Sequence, residues 1–178
     1  TKSNGNFKLE STDGLGFMAD LNHKEIGIAG KNILIVGAGA AVESILFRLV
    51  RSNPAKITIY NRTEEKAHRL CSNYPNHNLV FTSQEDEEYD IVINGSSAGL
   101  TGLFSPPKDI TVTNKTIFYD LNYSLGKTPF CEWSLETSKS VYDGTGMLVN
   151  QAAQSFKLWF GVTPETDQVS EDLKSLAK

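Results

Sequence analysis

Two glycines one residue apart, Gly37 and Gly39, directly follow the apolar run Ile33-Leu34-Ile35-Val36. A run that is apolar on both alternating faces fits a central parallel strand covered by helices on both sides. Gly37 permits a tight exit from that strand, and Gly39 leaves no side chain where a pyrophosphate would meet the backbone. A helix expected over residues 40–52 would aim its free N–H groups at the anion. Gly37-Ala38-Gly39-Ala40-Ala41 therefore suits a dinucleotide. The same glycines also suit a plain strand-to-helix turn, because the usual third small residue falls on Val42.

A second group with chemical capacity is Asn61-Arg62-Thr63, at the end of the alternating strand Lys56-Ile57-Thr58-Ile59-Tyr60. In such folds this tip faces the adenosine ribose. An acid there would take the 2′-hydroxyl of NAD, whereas an Arg accommodates the 2′-phosphate of NADP. No acid stands at this tip. Arg62 offers a planar fork, Asn61 and Thr63 add hydrogen-bonding groups, and Lys66 lies one turn into the next helix, so the pattern favours NADP. Thr63 is equally a good helix N-cap, and both roles can hold together. Further along, Asn94 ends another apolar strand and is followed by Gly95-Ser96-Ser97-Ala98-Gly99. Small residues at the carboxyl end of a parallel strand are where these sheets receive ligands. Tyr123 follows the strand 116–120 near the same rim.

The elements that must position these groups alternate strand and helix, which predicts an α/β chain with a Rossmann-type doubly wound parallel sheet and flanking helices. A helix is expected over residues 13–23, with Leu15, Met18 and Leu21 on one side and Thr12 or Asp13 as its cap. Further helices are expected over 64–74, from Pro129 to about 137, and through Met147 to Gly161 with Leu148, Ala152, Phe156 and Trp159 as its apolar stripe. Thr163-Pro164 caps a terminal amphipathic helix. Gln151 neighbours the late stripe and reads by itself as a core-edge residue. Ser3-Asn4-Gly5-Asn6 has hairpin-turn chemistry, with Phe7-Lys8-Leu9 leaving it and an incoming strand expected before Thr1. On that reading the chain is a fragment.

With 178 residues, 39% of them hydrophobic and 21% charged, the composition fits one ordinary globular α/β domain with appendages. A net charge of -4 provides no basic field for nucleic acid, and no apolar stretch is long enough for a membrane span. The expected location is cytoplasmic. Cys71 and Cys131 lack C-x-x-C spacing, and His23, His68 and His77 lack paired ligand spacing, so no disulfide and no metal are expected.

In order and spacing, nearly the whole chain resembles the cofactor-binding and C-terminal part of shikimate dehydrogenases. The resemblance rests on Ser11-Thr12-Asp13-Gly14-Leu15-Gly16, Gly37-Ala38-Gly39-Ala40-Ala41, Asn61-Arg62-Thr63, Ile93-Asn94-Gly95-Ser96, Tyr119-Asp120-Leu121-Asn122-Tyr123, Thr128-Pro129 and Asp143-Gly144-Thr145-Gly146-Met147-Leu148-Val149-Asn150-Gln151-Ala152-Ala153. It implies NADP-dependent interconversion of shikimate and 3-dehydroshikimate, on the route to chorismate and the aromatic amino acids. It also implies that Asp13 partners a catalytic Lys, that Thr12, Tyr123 and Gln151 contact substrate, and that Gly144 and Met147 line the nicotinamide. Gly37, Ala38, Gly39, Ala40, Ala41, Asn61, Arg62, Thr63, Lys66, Asn94 and Ser96 would complete the cofactor site.

The implied organisation is 1–30 as the end of a substrate domain and linking helix, 31–145 as the NADP domain, and 146–178 as helices returning toward the substrate domain. Ser11, Ala40 and Glu43 depart from the family pattern in ways that bear on affinity. The motif carrying the catalytic Lys has no counterpart in this sequence, and neither Lys8 nor Lys24 sits in a matching context. This chain alone is therefore expected to be inactive, and a poorly covered late helix would favour a homodimer or association of fragments. Two alternatives stay open: a quinate/shikimate enzyme using NAD, and a non-catalytic dinucleotide-binding module.

Overall fold

The computed structural model describes residues 2–3, 6–7, 10–81, 87–97, 104–108 and 110–176. Strand β1 (Lys2–Ser3) pairs antiparallel with β2 (Asn6–Phe7), in the register Lys2 opposite Phe7. Lys2–Ser3 therefore belong to the incoming strand of the expected hairpin. The turn residues Asn4 and Gly5, Lys8 and Leu9, and the Ala98-Gly99 end of the small-residue run lie outside the described residues.

Helix α1 (Asp13–His23) is followed by β3 (Asn32–Val36), α2 (Ala40–Leu49) with a 3-10 turn over Val50–Ser52, β4 (Lys56–Tyr60), α3 (Glu64–Ser72), β5 (Leu79–Phe81), β6 (Ile91–Asn94) and β7 (Ile117–Asp120). Then come α4 (Pro129–Leu135), β8 (Val141–Tyr142), α5 (Thr145–Phe160) and α6 (Asp167–Leu176). Six strands form one parallel sheet in the order β5-β4-β3-β6-β7-β8. The chain winds outward from β3 through β4 to β5, then resumes at β6 on the opposite side of β3. That reversal creates a crevice at the carboxyl ends of β3 and β6, the switch point where doubly wound sheets take ligands. The expected doubly wound parallel sheet is the one observed.

Both faces of the sheet are covered, which is why β3 and β6 read as continuous apolar runs. On one face Ile33, Ile35, Ile91 and Ile93 pack with Ile45, Leu46 and Leu49 of α2 and Phe17 and Leu21 of α1. On the other, Leu34, Val36, Val92 and Phe118 meet an aromatic group of Phe104, Phe130 and Trp133. Each fully buried Ile or Leu of this kind contributes roughly 1.5–3 kcal/mol. Helix α4 starts as its sequence requires: Thr128 is the N-cap, its Oγ1 accepts the Cys131 N–H at 3.2 Å, and Pro129 fills the first turn.

Two helices bury faces other than those expected. In α1 the buried residues are Gly14, Gly16, Phe17, Asp20 and Leu21, while Leu15 and Met18 are only half-buried. Glycines at 14 and 16 let α2 and α5 approach the α1 backbone, so the contact face centres on small residues rather than on the bulky ones. In α5 the buried residues are Met147, Val149, Asn150 and Ala153. Phe156 and Trp159 of the expected stripe are 39% and 72% exposed, and with Phe160 and Val162 they leave a large apolar surface at the carboxyl end of the helix. The terminal helix begins at Asp167, not at the Thr163-Pro164 cap, and 163–166 carry no regular secondary structure. Among the described residues, no helix is long and apolar enough to cross a membrane, and no group of His, Cys, Asp and Glu is placed to hold a metal.

Candidate functional site at the carboxyl rim of the sheet

The crevice is built first by the backbone. Gly37 N–H donates to Tyr60 O at 2.8 Å and Gly95 N–H donates to Val36 O at 2.8 Å, so the exits of β3, β4 and β6 are tied together. Gly37 has φ +113, a left-handed conformation that side chains resist. Above it, Gly39 is exposed and serves as N-cap of α2 with no side chain capping the helix, and Glu43 N–H is the first to bond back, to Gly39 O at 3.0 Å. The N–H groups of Ala40, Ala41 and Val42 therefore open the helix without a side-chain cap. This is the donor set an anion takes. A Cβ placed on Gly39 would meet only Gly95 O at 4.0 Å, so space remains over the turn. Ala38 is half-buried against the core, and the Ala40 and Ala41 methyls point outward.

At the tip of β4, Asn61 Nδ2 donates to Thr63 O at 2.7 Å, which closes the turn locally. Thr63 occupies the N-cap position of α3 but makes no side-chain cap bond, so its hydroxyl stays available. Arg62 and Lys66 are exposed beside it, with no ion pair among the described residues. The turn thus gathers two cations and a free hydroxyl within one short segment, a donor set suited to a phosphate.

Between β6 and β7 the rim is held by a buried polar network. Asn94 is fully buried: its Nδ2 donates to Asp120 Oδ1 at 2.8 Å, and its Oδ1 accepts from Ser96 N at 3.1 Å and Ser96 Oγ at 2.7 Å. Asp120 also accepts from Thr128 Oγ1 at 2.6 Å and from the backbone N–H and Nδ2 of Asn122, each at 3.0 Å. Asn122 Nδ2 reaches on to Ser96 O at 3.0 Å. Burial pushes the Asp120 carboxyl up, with the Thr128, Asn122 and Asn94 donors opposing that shift. Asn94 thus turns inward and shapes the loop that carries Ser96, rather than presenting its own amide at the surface.

The other side of the crevice joins α1 to α5. Thr12, expected as a cap, makes no cap bond. Its Oγ1 instead donates to Gln151 Oε1 at 3.2 Å and lies 2.9 Å from Ser155 Oγ. The hydroxyl spans 139 residues of sequence to join the two helices. Gln151 is consequently an interhelical residue, half-buried, with Asp13 half-buried one position from its partner. Gly144 and Met147 sit at the start of α5, and Gly144 N–H donates to Asn122 O at 2.8 Å. Tyr123 is 52% exposed and lines a cleft of about 1000 Å³ beside β8. That cleft is lined by residues including Lys24, Leu135, Tyr142 and Leu173, and by none of Thr12, Asp13, Gln151, Gly37 or Arg62. Sequence reading missed Ser155, Asp20 and Tyr119. A signal existed for Asp20: three and four positions from Phe17 and Gly16, it is an acid on a buried helix face and needs a partner.

A doubly wound parallel sheet with a glycine turn and an open helix N-terminus at its switch point defines the Rossmann-type class. Within it, the family described as shikimate / quinate 5-dehydrogenase matches residues 20–105, and the shikimate 5′-dehydrogenase C-terminal domain matches residues 144–173. A shikimate dehydrogenase (NADP(+)) from Colwellia psychrerythraea is 37% identical over 182 residues, covering 100% of this chain and 66% of the relative. The chain belongs to the shikimate dehydrogenase family.

Among solved structures, an Ael1 enzyme from Pseudomonas putida superposes with a TM-score of 0.84 at 31% identity, covering 96% of this chain and 65% of that one. A 5-ketofructose reductase of Gluconobacter gives 0.81 at 28% identity, with 98% and 66% covered. A shikimate 5-dehydrogenase from Thermus thermophilus, solved with NADP(H) and shikimate, gives 0.78 at 25% identity, with 93% and 62% covered. The chain spans just under two thirds of the length of these proteins.

Proposed function

We propose that this chain is the cofactor-binding and C-terminal part of an NADP-dependent shikimate dehydrogenase, an oxidoreductase acting on a secondary alcohol. The observation that carries the reading is the pair of anion sites on one rim: the open N-terminus of α2 above Gly37 and Gly39, and the exposed Arg62 and Lys66 beside the tip of β4, with no ion pair among the described residues. Their donors match a pyrophosphate and a 2′-phosphate respectively. The cofactor, when bound, supplies the hydride acceptor for the carbinol carbon. The chain's own residues hold and orient. The first turn of α2 binds the pyrophosphate, Arg62, Lys66, Asn61 and Thr63 clasp the 2′-phosphate, and Ser96, Gly144 and Met147 border the nicotinamide end.

Thr12, Gln151 and Tyr123 are assigned to the substrate, with the Thr12–Gln151 bond presenting both groups together. Asp13 is assigned to orient and support a lysine that takes the hydroxyl proton. A lone carboxylate is a poor base for an alcohol, which is why the lysine is needed. We assign the protein to the cytoplasm, where Cys71 and Cys131 remain thiols.

The cofactor assignment is tested with Arg62→Ala. The unmutated chain should bind NADP(H) more tightly than NAD(H). Loss of the charge-assisted contact should remove roughly 1.5–3 kcal/mol, or about 10- to 150-fold, from the NADP(H) affinity only. Equal dissociation constants for the two cofactors before mutation would sink the assignment. A second substrate reading is favoured by the likeness to 5-ketofructose reductase: reduction of another polyhydroxylated ketone at the same rim. Turnover of 5-ketofructose against 3-dehydroshikimate by the family-length enzyme separates the two.

A further inference from the structure

The first turn of every helix carries N–H groups that the helix itself cannot use. In α5, Thr145 N–H donates to Asp143 Oδ1 at 3.1 Å. Tyr119 belongs to β7, is fully buried, and donates its own proton to Asp20 Oδ2 at 2.6 Å. Asp20, 3% exposed on α1, lies against the Cα of Gly146, and its other oxygen takes the Lys24 ammonium one turn along. Phe17 packs edge-on to the Tyr119 ring at 5.1 Å and fixes its plane.

The bond directions follow from the groups. A carboxylate has no proton to give, so Tyr119 donates to Asp20. Burial first, then the Asp20 charge, pushes the phenol far above its ordinary range, so it remains a donor. A Phe would fill the same space, so packing alone does not call for a hydroxyl here.

We propose that Tyr119, held by Asp20, is a positioning residue for the nicotinamide end of the cofactor, fixing the height of the α5 first turn where Gly144 and Met147 stand. This rests on the cofactor assignment made above. Strand β7 and its exit then meet the turn at two points: Tyr119 Oη holds the Asp20 carboxylate that lies against Gly146, and Asn122 O accepts from Gly144 N–H at 2.8 Å. The adenosine end, at the tip of β4, shares neither contact.

The test compares two probes on the full chain, NADPH and 2′,5′-ADP, the latter carrying only the adenosine end. Tyr119→Phe should weaken NADPH roughly five- to tenfold, the scale of one buried hydrogen bond. It should shift the bound nicotinamide fluorescence toward that of free NADPH and leave 2′,5′-ADP affinity within twofold. Asp20→Asn, which keeps the shape and weakens the acceptor, should move the same readouts by a smaller factor, and it carries the test if the Phe variant fails to fold. Equal losses for both probes, or no loss for either, would overturn the proposal while leaving the cofactor assignment standing. A wild-type chain that binds neither probe would overturn both.

Discussion

Replacing Gly37 with Ala is expected to abolish NADP(H) binding in the micromolar range, a loss of at least ~100-fold, and to destabilise the chain by about 2–5 kcal/mol. Two effects add. The residue sits at φ +113, where a Cβ is strained whatever its surroundings. That Cβ would also lie 2.8 Å from Gly95 C and O and from Ser96 N, all backbone atoms. The Gly95 backbone cannot yield, since its N–H is bonded to Val36 O and the Asn94–Ser96–Asn122 network holds the segment after it. The turn itself must therefore shift, and with it the N–H groups at the start of α2. Denaturant melts and a fluorescence titration with NADPH check both parts. A variant that bound within threefold of the parent would show that the turn does not carry the pyrophosphate.

Gly16→Ala is the second large effect. An added methyl would meet Gln151 N at 2.5 Å and Gln151 Cα at 2.7 Å, so α1 and α5 must separate. Ala is the better helix former by about 1 kcal/mol, which works in the opposite direction. Overpacking against backbone costs typically ~1–3 kcal/mol and occasionally more, and here the helix pair also loses the Thr12–Gln151 and Thr12–Ser155 contacts, each worth about 1 kcal/mol. The steric side wins, with a net loss of about 2 kcal/mol or more. The expected readouts are a lower unfolding midpoint and faster amide exchange at Gln151 and Ser155. A midpoint unchanged or raised would mean that α1 and α5 do not pack through this glycine.

The sheet was legible because its strands announce themselves twice over. Ile33 to Val36 and Ile91 to Ile93 are apolar on both faces, and Gly37 and Gly95 stand at their exits, which marked both their burial and the position of the crevice. Helix starts at Asp13, Glu64 and Pro129 were readable from cap and first-turn chemistry at Thr12, Thr63 and Thr128. Of the three, however, only Thr128 uses its hydroxyl as a cap. The helix faces were less legible. A hydrophobic stripe shows which residues could be buried, whereas α1 is placed by glycines whose value lies in what they allow a neighbour to do.

The polar interior was the least legible part. Thr12 reaches Ser155 across 143 residues, and Asp20 reaches Tyr119 across 99. No local pattern encodes a partner at that distance. Asn94 shows the same limit from the other side: its place at a strand end identified the rim, but whether its amide faces outward or into Asp120 depends on a strand 26 residues away.

The proposed place of the cofactor is the carboxyl rim from the β4 tip to the start of α5, and not the cleft of about 1000 Å³ beside β8. Amide chemical-shift mapping of the isotopically labelled chain during titration with NADP+ tests it directly. The largest shifts are expected at residues 37–41 and 61–63, with further shifts at Ser96, Gly144 and Met147 and none at Lys24, Leu135 or Leu173. Saturable shifts centred on Lys24, Leu135 and Leu173, with Gly37 and Arg62 unmoved, would contradict it.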